Sequence, residues 1–203
     1  MRDPATTDAE DQEAIRAVRA GDREAFRRLV DRHSGSVFNL AYRMTGNAAD
    51  AEDLTQESFL QAFARLQDFR LGARFHPWIY TIALNLCRSH LRRRSLSRWL
   101  WPARSDEPVR SAPREPRARS PDPEQELLAR EAERRLRGAI QGLPARYREV
   151  FVLRQAQGLS YEEIASVLGL PLGTVEVRLF RARRRLLRSL EAESLRPGRP
   201  KAK

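Results

Sequence analysis

Between Glu176 and Arg184 the sequence reads EVRLFRARR, placing Arg178, Arg181, Arg183 and Arg184 among Glu176, Val177 and Phe180. Guanidinium groups bond guanine edges or phosphate oxygens, a carboxylate accepts from a cytosine amino group, and apolar carbons meet thymine methyls. The chemistry these residues offer is recognition of duplex DNA, not bond making. An ordinary solvated helix face is the plainer reading, but such a face rarely shows valine and phenylalanine beside arginines.

Trp78, Thr81, Asn85, Arg88 and Arg92 recur at helical spacing and combine a large ring, an amide and guanidinium groups. That mixture grips single-stranded nucleic acid by stacking, base-edge bonding and phosphate neutralisation. Core packing of Trp78 near a helix start is the alternative. Asp53, Gln56, Glu57 and Leu60 form a third group, acidic with one leucine. It repels DNA but suits a basic protein surface, and from spacing alone a solvated acidic face is an equal reading. Two carboxylates without a third ligand are weak evidence for a metal. His33, His76 and His90 are scattered and Cys87 lies beside an apolar helix face, so none is a site and no cofactor is called for.

The elements that must carry these groups are helices, because apolar residues recur at helical spacing and alternating strand patterns are missing. Ser160 and Glu163 form a capping box opening a helix with Tyr161, Ile164, Ala165 and Leu168 on one face. Gly169-Leu170-Pro171 ends that helix and admits the next. In the next helix Val175, Leu179, Ala182 and Leu186 face the core, and Val177, Phe180, Arg181 and Arg184 lie opposite. Glu176, Arg178 and Arg183 flank them. Two short helices and a three-residue turn make a helix-turn-helix. Upstream, the pattern predicts a helix over 49–66 with Ala51, Leu54, Ser58, Ala62 and Leu66 inward, and another over 77–94 with Ile79, Ile82, Ala83, Leu86 and His90 inward.

The fold class is all-α: two small helical domains joined by a flexible linker, the second containing the helix-turn-helix. Residues 13–94 form the first domain and 123–190 the second. Residues 95–122, rich in proline, serine and arginine, form a linker that neither buries a core nor continues a helix, and 191–203 a disordered basic tail. The net charge of +11 over 203 residues fits a polyanionic partner, but lysine occurs only at Lys201 and Lys203, an arginine skew that high-GC coding also produces. Clustering therefore carries the argument. One cysteine excludes an internal disulfide and fits a reducing cytoplasm, the polar acidic N-terminus is not a signal peptide, and no apolar run approaches a membrane span.

The run YREVFVLRQAQGLSYEEIASVLGLPLGTVEVRLFRARRRL resembles region 4 of bacterial extracytoplasmic-function sigma factors of the sigma-70 family. DAEDLTQESFLQAF and FRLGARFHPWIYTIALNLCRSHLRRR resemble region 2 of the same family. The resemblance spans about Glu13 to Leu190, excluding the linker. It implies a subunit that binds core RNA polymerase, directs it to promoters and assists melting, without enzymatic activity. It further implies core-polymerase docking through Asp53, Gln56, Glu57 and Leu60. The −10 element would be read and opened by Trp78, Thr81, Asn85, Arg88 and Arg92, with Asn85 at the pocket for a flipped base and the loop RLGARFH shaping that pocket. At the −35 element, Glu176, Val177, Phe180 and Arg181 align with the family's base readers. Ser160, Thr174, Arg178 and Arg183 are candidates for phosphate, and Arg184 joins them on the exposed face. Glu176 and Val177 stand where many relatives carry a basic residue and a serine, so the base sequence read there differs. Sequestration by an anti-sigma factor is common in the family and adds that class to core polymerase and promoter DNA as partners. The Trp99-Leu100-Trp101 stretch is either a binding anchor or a cap folded back on the first domain.

Two other classes compete. A helix-turn-helix regulator that is not a sigma subunit would usually carry an α/β receiver first, and no strand pattern is present. An enzyme acting on nucleic acid would need a nucleophile-base pair or a metal cluster, and neither is seen.

Overall fold

The computed structural model describes residues 4–100 and 123–194. Among these, every regular element is helical. The first four helices are α1 (Pro4–Arg19), α2 (Ala25–Thr45), α3 (Ala48–Ala64) and α4 (Phe75–Leu100), with a 3₁₀ turn, Leu66–Asp68, before the loop into α4. Local chemistry sets the α2–α3 corner: Gly46 closes α2 in the left-handed region at φ 76°, and the Asn47 side chain accepts from the amides of Ala49 and Asp50 to start α3. Leu29, Leu40 and Met44 of α2 are fully buried, and so are Ala51, Ser58 and Ala62 of α3. Each large apolar side chain so covered stabilises the unit by roughly 1.5–3 kcal/mol.

Two expectations are corrected here. The helical part begins at Pro4, ahead of residue 13. The acidic N-terminal stretch is ordered because Asp11, 1% exposed, is ion-paired to Arg32 and accepts from His33 Nε2 at 2.8 Å, both on α2. At the other end α4 continues past Arg94 to Leu100. Ser95 to Leu100 holds no proline or glycine, and the breakers begin only at Pro102. The expectations for the remainder of the linker, for Trp101 and for the tail beyond Ser194 lie outside the described residues, as do the side chains of Trp99 and Leu100.

The other four helices are α5 (Pro123–Gln141), α6 (Ala145–Gln155), α7 (Tyr161–Leu168) and α8 (Leu172–Ser194). Ser160 caps α7 through a complete capping box, Gly169 ends it at φ 64°, and the turn to α8 is residues 169–171. Val175, Leu179, Ala182 and Leu186 of α8 are all buried against the rest of this unit.

The two units also pack on each other, which the sequence pattern did not announce. α2 meets α5 and α6, and α4 meets α7. Arg137 Nη1 donates to the Tyr42 hydroxyl at 2.6 Å, Arg148 Nη1 to the Met44 carbonyl at 2.6 Å, and Gln141 Nε2 to the Arg43 carbonyl at 2.7 Å. Arg74 pairs with Glu163, and the Tyr80 hydroxyl donates to Gln157. Covered from both sides, α4 buries Tyr80, Leu84 and Cys87 as well as the expected Ile79, Ile82 and Ala83.

Candidate nucleic-acid interface

On α8 the charged and apolar candidates share one open surface. Val177 is 48% and Phe180 62% exposed, and Glu176, Arg181, Arg183 and Arg184 are exposed with them. Thr174, Val177, Arg178 and Arg181 line a shallow pocket of about 360 Å³ that Arg146, Tyr147 and Gly173 complete. Ser160 lies outside that pocket, its hydroxyl accepting from the Glu163 amide at 3.1 Å.

Arg146 and Tyr147 are functional candidates that helical periodicity missed. The Tyr147 ring is buried between α6 and α8, with the Arg146 and Arg185 guanidinium carbons 4.9 and 5.2 Å from its centroid. A hydrogen bond from Arg181 is the main cause that lowers the Tyr147 pKa below the usual phenol range, with burial opposing. The Tyr147 hydroxyl and the Arg181 guanidinium thus meet at the same pocket on the outer face. The only available signal was a tyrosine among arginines in ARYREV, which does not name its partner.

The acidic group of α3 is likewise a single exposed face. Asp53, Gln56, Glu57 and Leu60 all point outward, with Leu60 66% exposed, and Ala51, Leu54, Ser58 and Ala62 are buried behind them. An exposed leucine amid carboxylates gives the face one apolar contact point.

The α4 group is less open. Asn85 and Arg92 are exposed, whereas Trp78, Thr81 and Arg88 are half-buried. Trp78 packs edge-on against Phe69 at 5.1 Å and against Phe75 at 5.6 Å, and the Thr81 hydroxyl donates to the Pro77 carbonyl at 3.1 Å. Arg88 grips Glu149 of α6 through Nε at 2.7 Å and Nη2 at 2.9 Å, and its Nη1 donates to Asn85 Oδ1 at 3.2 Å. The Glu149 bond, more than the opposing burial, raises the Arg88 pKa above its ordinary value. The loop RLGARFH is held from α1: Gln12 donates to the Ala73 carbonyl at 2.6 Å and accepts from the Gly72 amide at 2.9 Å. Arg19 of α1 donates to the carbonyls of Leu66, Gln67 and Phe69 just before it. These α1 supports escaped the sequence reading because their partners lie 47 to 61 residues away and are main-chain atoms. Among the described residues no cluster of His, Cys, Asp and Glu is arranged to hold a metal, and no helix is long and apolar enough to cross a membrane.

Family models described as Sigma-70 region 2 and Sigma-70, region 4 match residues 29–97 and 133–186. The RNA polymerase sigma-H factor of Pseudomonas aeruginosa is 34% identical over 189 residues, covering 91% of this chain and 96% of that protein. The ECF RNA polymerase sigma factor SigW of Bacillus subtilis is 32% identical over 176 residues, covering 87% and 94%. The chain belongs to the extracytoplasmic-function sigma factors. This sigma factor is therefore a non-enzymatic transcription initiation factor that binds core RNA polymerase and promoter DNA. Among solved structures it is similar to CnrH, determined in complex with the cytosolic domain of CnrY, at TM-score 0.66 and 29% identity over 91% of this chain and 99% of that one. It is also similar to the sigma factor RpoE of Bartonella quintana, determined with the anti-sigma factor NepR, at TM-score 0.65 and 26% identity over 83% and 98%.

Proposed function

We propose that this sigma factor divides initiation among three faces. The exposed face of α3, Asp53, Gln56, Glu57 and Leu60, docks on a basic surface of core polymerase. Trp78, Thr81, Asn85, Arg88 and Arg92 on α4 engage the single-stranded −10 element and help open it, with the Gln12-braced loop shaping the base pocket. In the −35 element Glu176, Val177, Phe180 and Arg181 on α8 read base edges. Thr174, Arg178, Arg183 and Arg184, joined by Ser160 at the α7 start, position the duplex through its phosphates. The observation that carries this reading is the α8 surface, where an apolar core stripe turns Val177, Phe180 and Arg181 together into solvent.

On this reading the helical unit ending at Leu100 acts as region 2 and the one beginning at Pro123 as region 4, with the residues between them as the tether and the basic tail adding non-specific charge. The chain works in the cytoplasm, where polymerase and promoters are. The two similar structures pair a sigma factor with an anti-sigma factor or with a protein's cytosolic domain. An anti-sigma factor is accordingly a further partner of this chain. Run-off transcription with purified core polymerase over a randomised promoter library tests the assignment: enrichment of two spaced elements is expected. An Arg181→Ala variant selecting the same upstream sequence as wild type would refute the base-reading role.

A further inference from the structure

Arg88 belongs to the face assigned above to the −10 strand, yet its guanidinium is already occupied. Glu149 of α6, only 5% exposed, accepts two parallel hydrogen bonds from it at 2.7 and 2.9 Å. A carboxylate and a phosphate present the same pair of anionic oxygens to a guanidinium fork, so the two ligands compete for one seat. Asn85, the amide beside that seat, is drawn into the same arrangement through Arg88 Nη1.

The surrounding contacts make this a closed conformation rather than a stray ion pair. Gln157 accepts from Tyr80 and donates to the Ser36 carbonyl at 3.2 Å, Arg74 bridges Asp8 of α1 and Glu163 of α7, and Arg148 reaches the Met44 carbonyl. Scale excludes this arrangement from the promoter complex. A compact chain of this length has a radius of gyration near 17 Å and a diameter of about 43 Å. The −10 and −35 elements lie about 25 base pairs apart, some 85 Å at 3.4 Å per pair. A chain contacting both has parted the two units, and parting them strips Glu149 from Arg88.

We propose that Glu149 is an internal surrogate for a −10 phosphate: in the closed chain it fills the Arg88–Asn85 seat on α4 and masks it from single-stranded DNA until the units separate. The proposal rests on the assignment of Arg88 to the −10 strand. Binding through a seat open in only a fraction of molecules is weakened by that fraction. Relieving the mask therefore tightens binding without adding any contact.

The full chain carrying dyes on Glu52→Cys and Glu191→Cys reports the separation of the units by energy transfer, since native Cys87 is buried. A fluorescein-labelled pool of random single-stranded DNA reports occupancy of the seat by anisotropy. Glu149→Gln is expected to lower energy transfer and tighten pool binding about 3- to 10-fold, with cooperative melting retained. The exchange Arg88→Glu with Glu149→Arg re-forms the pair in reverse, so it should restore high energy transfer while binding the pool weakly. Glu149→Gln that leaves both readouts at wild type overturns the proposal, as does an exchanged pair that stays open. Adding Arg88→Ala to Glu149→Gln separates the two layers. If the double variant binds more weakly than Glu149→Gln but Glu149→Gln never exceeds wild type, Arg88 is a strand contact and masking alone is wrong. If Glu149→Gln opens the chain and the double variant binds as well as it does, the −10 assignment of Arg88 fails and masking falls with it.

Discussion

Arg181 and Tyr147 show what one helix face can and cannot reveal. The outward position of Arg181 followed from the spacing of Val175, Leu179, Ala182 and Leu186, because a helix fixes the relative directions of its own side chains. That Tyr147 lies beside Arg181 did not follow, since periodicity within α8 carries no information about α6. If the neighbouring phenol hydroxyl steadies the guanidinium, Tyr147→Phe should relax base preference at the Arg181 position about fivefold while leaving non-specific duplex affinity and folding intact. Selection over randomised −35 DNA measures it, and an unchanged preference refutes the coupling. Arg181→Ala should cost roughly 1–3 kcal/mol at one base position, whereas Arg183→Ala should weaken all sequences alike and reduce the salt slope. Parallel losses for the two would refute the division of roles. His76 supplies a test of a different kind. Burial first, then the charges of His33 and Arg74, hold its pKa down at about 4 against an ordinary 6.5, with Glu163 and Asp11 pulling the other way. The unfolded chain therefore binds a proton that the folded chain refuses between those values. Stability from this group is complete above pH 6.5 and falls, by roughly 3 kcal/mol, as pH drops toward 4. His76→Asn should flatten that part of the curve in urea melts run at successive pH values.

Elements were legible where their boundaries carry local chemistry. Ser160 with Glu163, Gly169 and Pro171 each act within a few residues, so α7, its turn and the start of α8 could be placed from sequence alone. Boundaries set by distant partners were not legible. α1 begins at Pro4, ahead of the expected domain start, and its Asp11 is held by Arg32 and His33 of α2. The end of α4 was missed for another reason: a proline-rich composition spread over 95–121 hid the fact that its first proline is Pro102. The α3 face was readable as a face, yet spacing could not tell a docking surface from a solvated one. Charge decides between them experimentally. Asp53→Lys with Glu57→Lys leaves the buried stripe of α3 untouched, so the fold should persist and co-purification with core polymerase should fall at least tenfold, as expected for rim charges facing a basic partner. Duplex binding by the same full-length variant should not fall. Undiminished polymerase association would show that the face is merely solvated.

At the scale of the whole molecule two units were visible as composition blocks, but their mutual packing was not. It depends on single polar partners such as Arg88 with Glu149 and Arg137 with Tyr42, which no hydrophobic pattern marks. The same packing makes the tether a matter of length. Once the units part, the chain between Leu100 and Pro123 is the covalent link between them, and its twenty-two residues span at most about 75 Å when fully extended. Replacing residues 105–120 by glycine and serine of equal length preserves that reach, so promoter-dependent transcription should stay within about threefold of wild type. Deleting the same residues leaves a tether of about 20 Å, too short for units on elements some 85 Å apart even after their own dimensions are added. That variant should retain core-polymerase association through α3 while losing transcription from promoters that require both elements. Run-off assays on the two variants, with co-purification as the control, distinguish the cases. Loss of transcription on glycine-serine replacement would mean that the segment acts through its sequence, and full activity after deletion would mean that the two elements are not engaged together.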